Sequence, residues 1–433
     1  DEAMENFFKA LWMNLLGGLG FAVAIAYAAI SLQVINIQDL VALAVSSDAK
    51  AGLALIPVVF LAFAGLTKSA QLPFSGWLLG AMVAPTPTSA LLHSATMVKA
   101  GVYLLIRLAP AMEGNLAGTM VTTIGGFTFL VTSMLAISQD DGKKVLAYST
   151  ISNLGLITAC AGVGMHEAVW AAILLMMFHA VSKSLMFLSV GAVENCTGSR
   201  NIEDMHGLIV KLPGLAYVMI IGIAGMFLAP FGMLISKWAA LKAYVDSGSI
   251  LLVIFLVFGS ATTLFYWTKW LGSLVAVHHH SEQLTNVTKK SEWTSLISLS
   301  VIMVALCLTF PLVSTYLIEP FLMDMYHQYV PNLIGTGNLY IMIMMLCTIL
   351  VLPIAVRILT LGKKNKLVMS YMGGANAGDD RNFTDSFGEE KHMYLANWYM
   401  PDYFGENKLL LPSMVLAAGA LIILMIMTIG GAL

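Results

Sequence analysis

Ionisable side chains within apolar stretches are the residues of this sequence best suited to chemistry. Lys68 ends one such stretch, Lys99 lies near the middle of the next, and Lys237 lies in a later one. His179 and Lys183 lie in another stretch, and their spacing of four places both on one face of a helix. Titratable groups at membrane depth are costly, and they are tolerated where they line an ion path. Together they predict a path for protons or other cations.

Prolines interrupt two of these stretches. Pro73 follows Lys68, and Pro230 precedes Lys237. Proline lacks the amide donor that a helix interior needs, so each helix should break or kink there. Such breaks at matching positions are typical of transporters built from inverted repeats, with the ion site at the break. A lysine beside a break in each half therefore predicts two half-channels.

Simpler interpretations of these residues remain open. Lys68 or Lys237 could snorkel to the membrane interface without taking part in transport. His93, in the same stretch as Lys99, is a further candidate for the path, but a single histidine can also be a packing residue. The pair of His179 and Lys183 near the centre of one apolar stretch favours a proton relay.

Composition alone predicts an all-α polytopic membrane protein in a lipid bilayer. Charged residues make up 11% of the chain and hydrophobic residues 58%, with a mean hydropathy of +0.83, whereas soluble domains carry about 25% charged residues. We expect about eleven transmembrane elements, two of them discontinuous, at residues 8–33, 50–83, 87–109, 117–138, 143–163, 167–193, 212–245, 250–272, 294–316, 338–362 and 409–431.

The distribution of charges orients these elements. Most basic residues of the connections fall on one side, which the positive-inside rule makes cytoplasmic, so the loops after residues 138, 193, 272 and 362 should face the cytoplasm. Every aspartate and glutamate falls in a connection or within a residue or two of the end of a predicted span. Asp140 and Asp141 precede a helix, where they should complement its dipole.

No cofactor, metal or nucleic acid is predicted for this chain. The four cysteines are widely spaced and form no C-x-x-C motif, and a net charge of −2 gives no basic surface for nucleic acid. The run from His278 to His280 is interpreted as a solvated loop, since consecutive residues cannot all face one ion.

The chain divides into three predicted parts. Residues 1–110 form the end of a first half, residues 111–275 form a second half, and residues 276–433 add further helices. The polar stretch 363–408 is expected to be a cytoplasmic docking surface for a neighbouring subunit. Because the sequence begins at Asp1 without a signal-peptide pattern, we expect further helices upstream.

The sequence KSAQLPFSGWLLGAMVAPTPTSALLHSATMVKAGVYL, together with KKVLAYST and MFHAVSKSL, resembles the antiporter-like membrane subunits. These occur in respiratory complex I, energy-converting membrane hydrogenases and multisubunit sodium/proton antiporters. The resemblance extends to about Lys242, and the C-terminal part is most similar to the large membrane subunit of the hydrogenases. Relatives often have a histidine where this chain has Leu175, which implies a shorter relay or one completed by water.

The resemblance implies a function, a location and partners. The chain would translocate protons or sodium ions in the cell membrane of a prokaryote, driven by a peripheral cytoplasmic hydrogenase or dehydrogenase module, alongside other membrane subunits. Lys68 and Lys237 would be the principal protonation sites, linked by Lys99, His179 and Lys183, and a partner glutamate would lie on an upstream helix. A stand-alone sodium/proton antiporter and a purely structural membrane anchor remain alternatives.

Overall fold

The computed structural model describes most of the 433 residues. The described parts are residues 2–47, 50–227, 232–276, 284–327, single positions between 337 and 359, and residues 375–376, 382–392 and 397–432. His278 to His280 and Pro230 lie outside the described residues. The predicted element 338–362 also lies largely outside them.

The fold is a bundle of apolar helices, as predicted. The first nine are α1 Glu2–Tyr27, α2 Ile37–Val45, α3 Ala51–Lys68, α4 Gly76–Gly80, α5 Thr86–Ser94, α6 Met97–Met112, α7 Leu116–Ile137, α8 Gly142–Val163 and α9 His166–Thr197. The next six are α10 Leu208–Lys211, α11 Pro213–Phe227, α12 Gly232–Asp246, α13 Ile250–Val275, α14 Lys290–Val313 and α15 Glu319–Tyr326. A short turn of helix, Pro401–Phe404, precedes the final helix, Glu406–Ala432.

Within the described residues, nine helical segments are long and apolar enough to cross a membrane, and α11 is a shorter apolar helix. The all-α polytopic class is thus confirmed, whereas the count of eleven elements is not. Helix α8 lies at the centre of the bundle, because every residue from Gly142 to Val163 except Lys144 is buried. It packs mainly against α7 and α9. The site residues of α9 therefore lie next to a helix that is buried within the bundle.

The first discontinuous helix breaks immediately after Lys68. Residues 69–75 connect α3 to α4, and Pro73 lies within this connection. The indole of Trp77 on α4 donates a hydrogen bond to the carbonyl of Thr67 at 3.1 Å. This bond links the two sides of the break and satisfies one carbonyl at the end of α3.

One further interruption separates two site helices. Residues 228–231, between α11 and α12, lie outside the described residues, and Lys237 is in the helix that follows them. A break that the sequence analysis did not predict separates α5 from α6 at Ala95 and Thr96. It places His93 and Lys99 on different helices rather than on one continuous span.

One prediction about the acidic residues is wrong. Helix α14 continues through a π-helical turn, Ser314–Ile318, into α15, so a single apolar segment runs from Lys290 to Tyr326. Glu319 lies inside this segment and is buried, with 6% of its surface exposed. The predicted span, 294–316, ended before this residue. Pro320 lies in the first turn of a new helical segment, where proline is tolerated.

The ends of the helices in the second half are fixed by charged groups. The Asp141 carboxylate accepts hydrogen bonds from the amides of Lys143 and Lys144 at 2.8 and 3.2 Å, and so caps α8. Asp141 also pairs with Arg200 at 2.6 Å, and Lys143 pairs with Glu194 at 2.9 Å. This end of the bundle corresponds to the predicted cytoplasmic face.

A small sheet lies in the polar stretch near the C-terminus. Its antiparallel strands are β1 Ala375–Asn376, β2 Asn382–Thr384 and β3 Glu390–His392, in the order β1-β2-β3. Residues 397–400 then return to the helical bundle, where Asn397 contacts the end of α13.

Candidate proton-relay site

The closest contact between two candidate residues joins α6 to α9. The Lys99 amine and Nδ1 of His179 are 2.9 Å apart, and both side chains are buried. A single proton is shared in this bond, because either the ammonium donates to a neutral imidazole or the imidazole donates to a neutral amine. Such a bond can transfer a proton without any movement of the helices.

Lys183 lies one turn further along α9 and is bound by α8. Its amine donates to the carbonyl of Leu146 at 3.1 Å and to the hydroxyl of Ser149. The hydroxyl itself donates to the carbonyl of Val145 at 2.6 Å. The Lys183 amine also lies 5.1 Å from the centre of the Trp267 ring, within the range of a cation–π interaction.

His93 packs beside this group without a hydrogen bond of its own. Its ring centre is 4.9 Å from that of Phe187 on α9, and the side chain is fully buried. Both ring nitrogens lack a partner among the described residues, as does Nε2 of His179. Buried polar atoms are nearly always hydrogen-bonded to protein or to water, so these nitrogens are suited to binding water in a relay.

Lys237 is buried in α12, with 8% of its surface exposed. Its amine lies 5.8 Å from the centre of the Phe129 ring on α7. No ion pair within the described part of the chain reaches this amine. The structure therefore gives Lys237 an aromatic face but no direct contact with Lys183.

Lys68 is half-buried at the first helix break. Its amine donates to the side-chain oxygen of Asn14 at 3.3 Å, and both residues line a cleft of about 300 Å³ between α1, α3 and α6. Gly101 of α6 faces the same break: a Cβ atom there would lie 2.6 Å from the carbonyl oxygen of Gly65. Only glycine allows α6, which also bears Lys99, to lie this close to the end of α3.

The structure thus brings some of the predicted residues together and leaves others apart. Lys99 and His179 are in direct contact, and the buried side chains of Lys183 and His93 lie near them. Lys68 and Lys237 make no direct contact with this group in the described residues. Sequence reasoning missed Ser149 and Trp267, which bind Lys183, because nothing in an apolar span marks which polar residue faces a lysine. It also missed Glu319, although the apolar sequence around this residue was a usable signal.

Comparison with known proteins places this bundle in a family. Residues 1–263 match the family described as NADH:quinone oxidoreductase/Mrp antiporter, transmembrane. The Na(+)/H(+) antiporter subunit A1 of Staphylococcus aureus strain JH9 is 29% identical over 463 residues, which cover 97% of this chain and 55% of that protein. The same subunit of strain Newman is 30% identical over 466 residues. The chain therefore spans about half the length of these curated relatives.

Two solved structures are similar in fold. The Mrp complex from Dietzia sp. DQ12-45-1b matches with a TM-score of 0.65 and 29% identity, over 85% of this chain and 42% of that chain. The membrane-bound sulfane sulfur reductase, an archaeal respiratory membrane complex, matches with a TM-score of 0.66 and 22% identity, over 77% of this chain and 68% of that one. At this identity the second match shows the fold alone.

These matches confirm the resemblance to antiporter-like membrane subunits and the multi-pass location in a prokaryotic cell membrane. The family match covers α1 to α12 and half of α13, and therefore every lysine and histidine of the candidate site. The chain belongs to the NADH:quinone oxidoreductase/Mrp antiporter transmembrane family and is an antiporter-like membrane subunit.

Proposed function

We propose that this chain transports protons through the membrane, with Lys99, His179 and Lys183 as the central relay. The observation that carries the proposal is the 2.9 Å contact between the Lys99 amine and the His179 imidazole, with Lys183 one helical turn away. All three groups are buried and, within the described residues, none has a carboxylate partner. These groups would not stabilise a purely structural anchor, because apolar residues of similar size would pack there without the free-energy cost of burying an ionisable side chain.

Lys68 and Lys237 would connect the relay to the two half-channels. Lys68 lies at a helix break beside a cleft, and Lys237 follows Pro230, where the sequence predicts the second break. Transporters with repeated halves place ion sites at such positions. In this proposal His93 serves as a side member. The first half would end near residue 110 and the second near residue 275, in inverted repeats.

The source of energy distinguishes two versions of this function. The curated relatives that match 97% of the chain are named as Na(+)/H(+) antiporter subunits, which favours exchange of protons for sodium ions without a redox partner. In the second version, a peripheral hydrogenase or dehydrogenase drives proton pumping. The fold of the archaeal respiratory complex is compatible with it. In both versions the chain acts with other membrane subunits.

The test uses the whole complex in sealed vesicles with a pH-sensitive dye. Replacing Lys183 by Met should reduce proton flux by about tenfold or more, because a positioned proton carrier contributes at least that much. The matched control is Lys144→Met, which removes an exposed lysine from the neighbouring helix α8 and should leave flux unchanged. Assembly of both variants is checked by size-exclusion chromatography.

The outcomes separate the alternatives. Sodium-dependent proton flux without an electron donor supports the antiporter version. Flux that requires a low-potential donor, with hydrogen evolution, or NADH and quinone supports the redox-driven version. Normal flux in a correctly assembled Lys183→Met complex contradicts the proposed relay, and normal flux after replacing Lys99, Lys183 and Lys237 together would support a structural anchor.

A further inference from the structure

Glu319 is a carboxylate within a membrane-spanning segment and is not part of the relay described above. Only 6% of its surface is exposed, and apolar residues precede and follow it in the segment from Lys290 to Tyr326. Ionisable residues inside such segments are costly, and they mark ion pathways.

A local change of helix type brings a hydroxyl group to this carboxylate. In an α-helix, side chains five residues apart point about 140° away from each other. The turn Ser314–Ile318 is π-helical instead, and the amide of Glu319 donates to the carbonyl of Ser314, five residues earlier. This wider turn places both side chains on one face, and the Ser314 hydroxyl donates to a Glu319 carboxylate oxygen at 3.2 Å.

A second helix fixes the hydroxyl in place. The indole of Trp170 on α9 donates to the oxygen of Ser314 at 2.7 Å, and both residues are buried. The hydroxyl hydrogen is therefore free to point to Glu319. The site therefore contains residues of two separate helical segments, Trp170 on α9 and the pair of Ser314 and Glu319.

The oxygen atoms at this turn are those that bind small hard cations. Within the described residues, Ser314 is the sole hydrogen-bond donor to the Glu319 side chain, and no ion pair neutralises it. A carboxylate and a hydroxyl are hard oxygen ligands, and the carboxylate alone can take a proton.

The site lies towards the membrane face opposite to that of Lys183. The Tyr326 hydroxyl, at the end of α15, donates to the carbonyl of Gly164, immediately beyond the end of α8. Trp170 is in the second turn of α9. Lys183, in contrast, binds the carbonyl of Leu146 in the second turn of α8, near the opposite face.

We propose that Glu319, together with the Ser314 hydroxyl, binds a monovalent cation, either a proton or a sodium ion, and forms the access point of the ion path at the face away from Lys183. The role in transport rests on the proposed function. The binding of a cation at Glu319 does not, and it can be measured separately.

Binding is tested by chemical modification of the intact complex. Dicyclohexylcarbodiimide reacts with protonated carboxyl groups in apolar surroundings, and mass spectrometry measures the modified fraction of each residue. We expect Glu319 to be modified increasingly as the pH falls, and the exposed Asp324, five residues later, to remain unmodified. Sodium chloride that slows modification, compared with choline chloride, would identify sodium as a ligand. Modification that is insensitive to sodium would identify the proton alone, and no modification at any pH would overturn the proposal.

Transport assays then test the role of the bound cation. Glu319→Gln should lower proton flux by about tenfold or more, Glu319→Asp should restore part of it, and Asp324→Asn should behave as the unchanged protein. Normal flux in a correctly assembled Glu319→Gln complex overturns the role in transport. If Lys183→Met also leaves flux normal while sodium still protects Glu319, the proposed relay fails and the cation site stands.

Discussion

A lysine amine removed from water needs acceptors, and the two buried lysines of the proposed central relay obtain them differently. Lys99 has the imidazole of His179 as its hydrogen-bond partner in the described residues. Lys183 has a carbonyl, a hydroxyl and an aromatic ring. Because the imidazole is itself titratable, the direct transfer between two titratable side chains of this group is the one between Lys99 and His179.

Two substitutions at His179 distinguish a role in proton transfer from a role in packing. His179→Leu leaves the Lys99 amine without an acceptor, which should cost about 1–3 kcal/mol of stability as well as transport. His179→Gln keeps an acceptor oxygen, so stability should be retained, but an amide cannot take the proton and flux should fall as in the leucine variant. The measurements are thermal unfolding in detergent and proton flux in vesicles.

The control for both variants is His166→Gln, at the first residue of the same helix, where the side chain is half-buried. It should change neither quantity. Wild-type flux in the His179→Gln protein would remove His179 from the relay and leave it a packing residue.

At the scale of elements, the site depends on how closely α6 approaches the broken helix. A Cβ atom at Gly101 would lie 2.6 Å from the carbonyl oxygen of Gly65 and 2.7 Å from the amide nitrogen of Ser69. Both are backbone atoms at the end of α3 and cannot move aside as a side chain can. The position of Lys99, two residues earlier, is therefore set by this contact.

Gly101→Ala should accordingly push α6 away from the break and destabilise the protein by about 1–3 kcal/mol, the usual cost of overpacking. Gly18→Ala is the matched control, because Gly18 lines the same cleft and a Cβ atom there would meet no other atom within 4 Å. The melting temperature in detergent should fall for the first variant and stay unchanged for the second. Equal melting temperatures would show that α6 can shift without cost.

From the sequence, helices and helix breaks could be predicted only where an apolar run or a proline indicates them. Apolar runs located the spans, and the run after Lys68 indicated an interruption near Pro73. The break at Ala95 has no proline beside it, and the π-helical turn before Glu319 lies across the predicted end of a span at residue 316. Spacing showed that His179 and Lys183 are on one face, but the partner of His179 proved to be Lys99, because tertiary packing of α6 against α9 is not encoded in the spacing of either helix.

At the scale of the whole molecule, the C-terminal segment is attached to the helical bundle through Glu203. This carboxylate, in the connection after α9, accepts hydrogen bonds from the Tyr399 hydroxyl at 2.5 Å and the Asn397 side chain at 2.9 Å, and contacts His206 at 2.9 Å. Further along, the Tyr148 hydroxyl donates to Glu406 at 2.8 Å. The stretch 363–408 was predicted to dock a neighbouring subunit, yet its described end binds loops and helices of its own chain.

This attachment should depend on pH. Partial burial acts to raise the pKa of Glu203, but hydrogen bonds from Tyr399, Asn397 and His206 outweigh it and hold the pKa below its ordinary value. A lowered folded-state pKa means that the stabilisation is complete above the ordinary glutamate value of about 4.3 and is lost as the pH falls through the folded-state value. The hydrogen-exchange protection factors of residues 397–406 in the solubilised complex, which correct for the pH dependence of intrinsic exchange, should therefore be high at neutral pH and fall below about pH 4.

Variants of the donors test whether Glu203 is the group responsible. Tyr399→Phe removes one hydrogen bond to the carboxylate, so the pKa of Glu203 should rise and the loss of protection should begin at higher pH. Tyr403→Phe changes an exposed tyrosine of the same segment and should leave the profile unchanged. In Glu203→Gln the protection factors should be low throughout and independent of pH in this range, because the neutral side chain binds these donors more weakly. A pH-dependent step that persists in this variant would assign the attachment to another group.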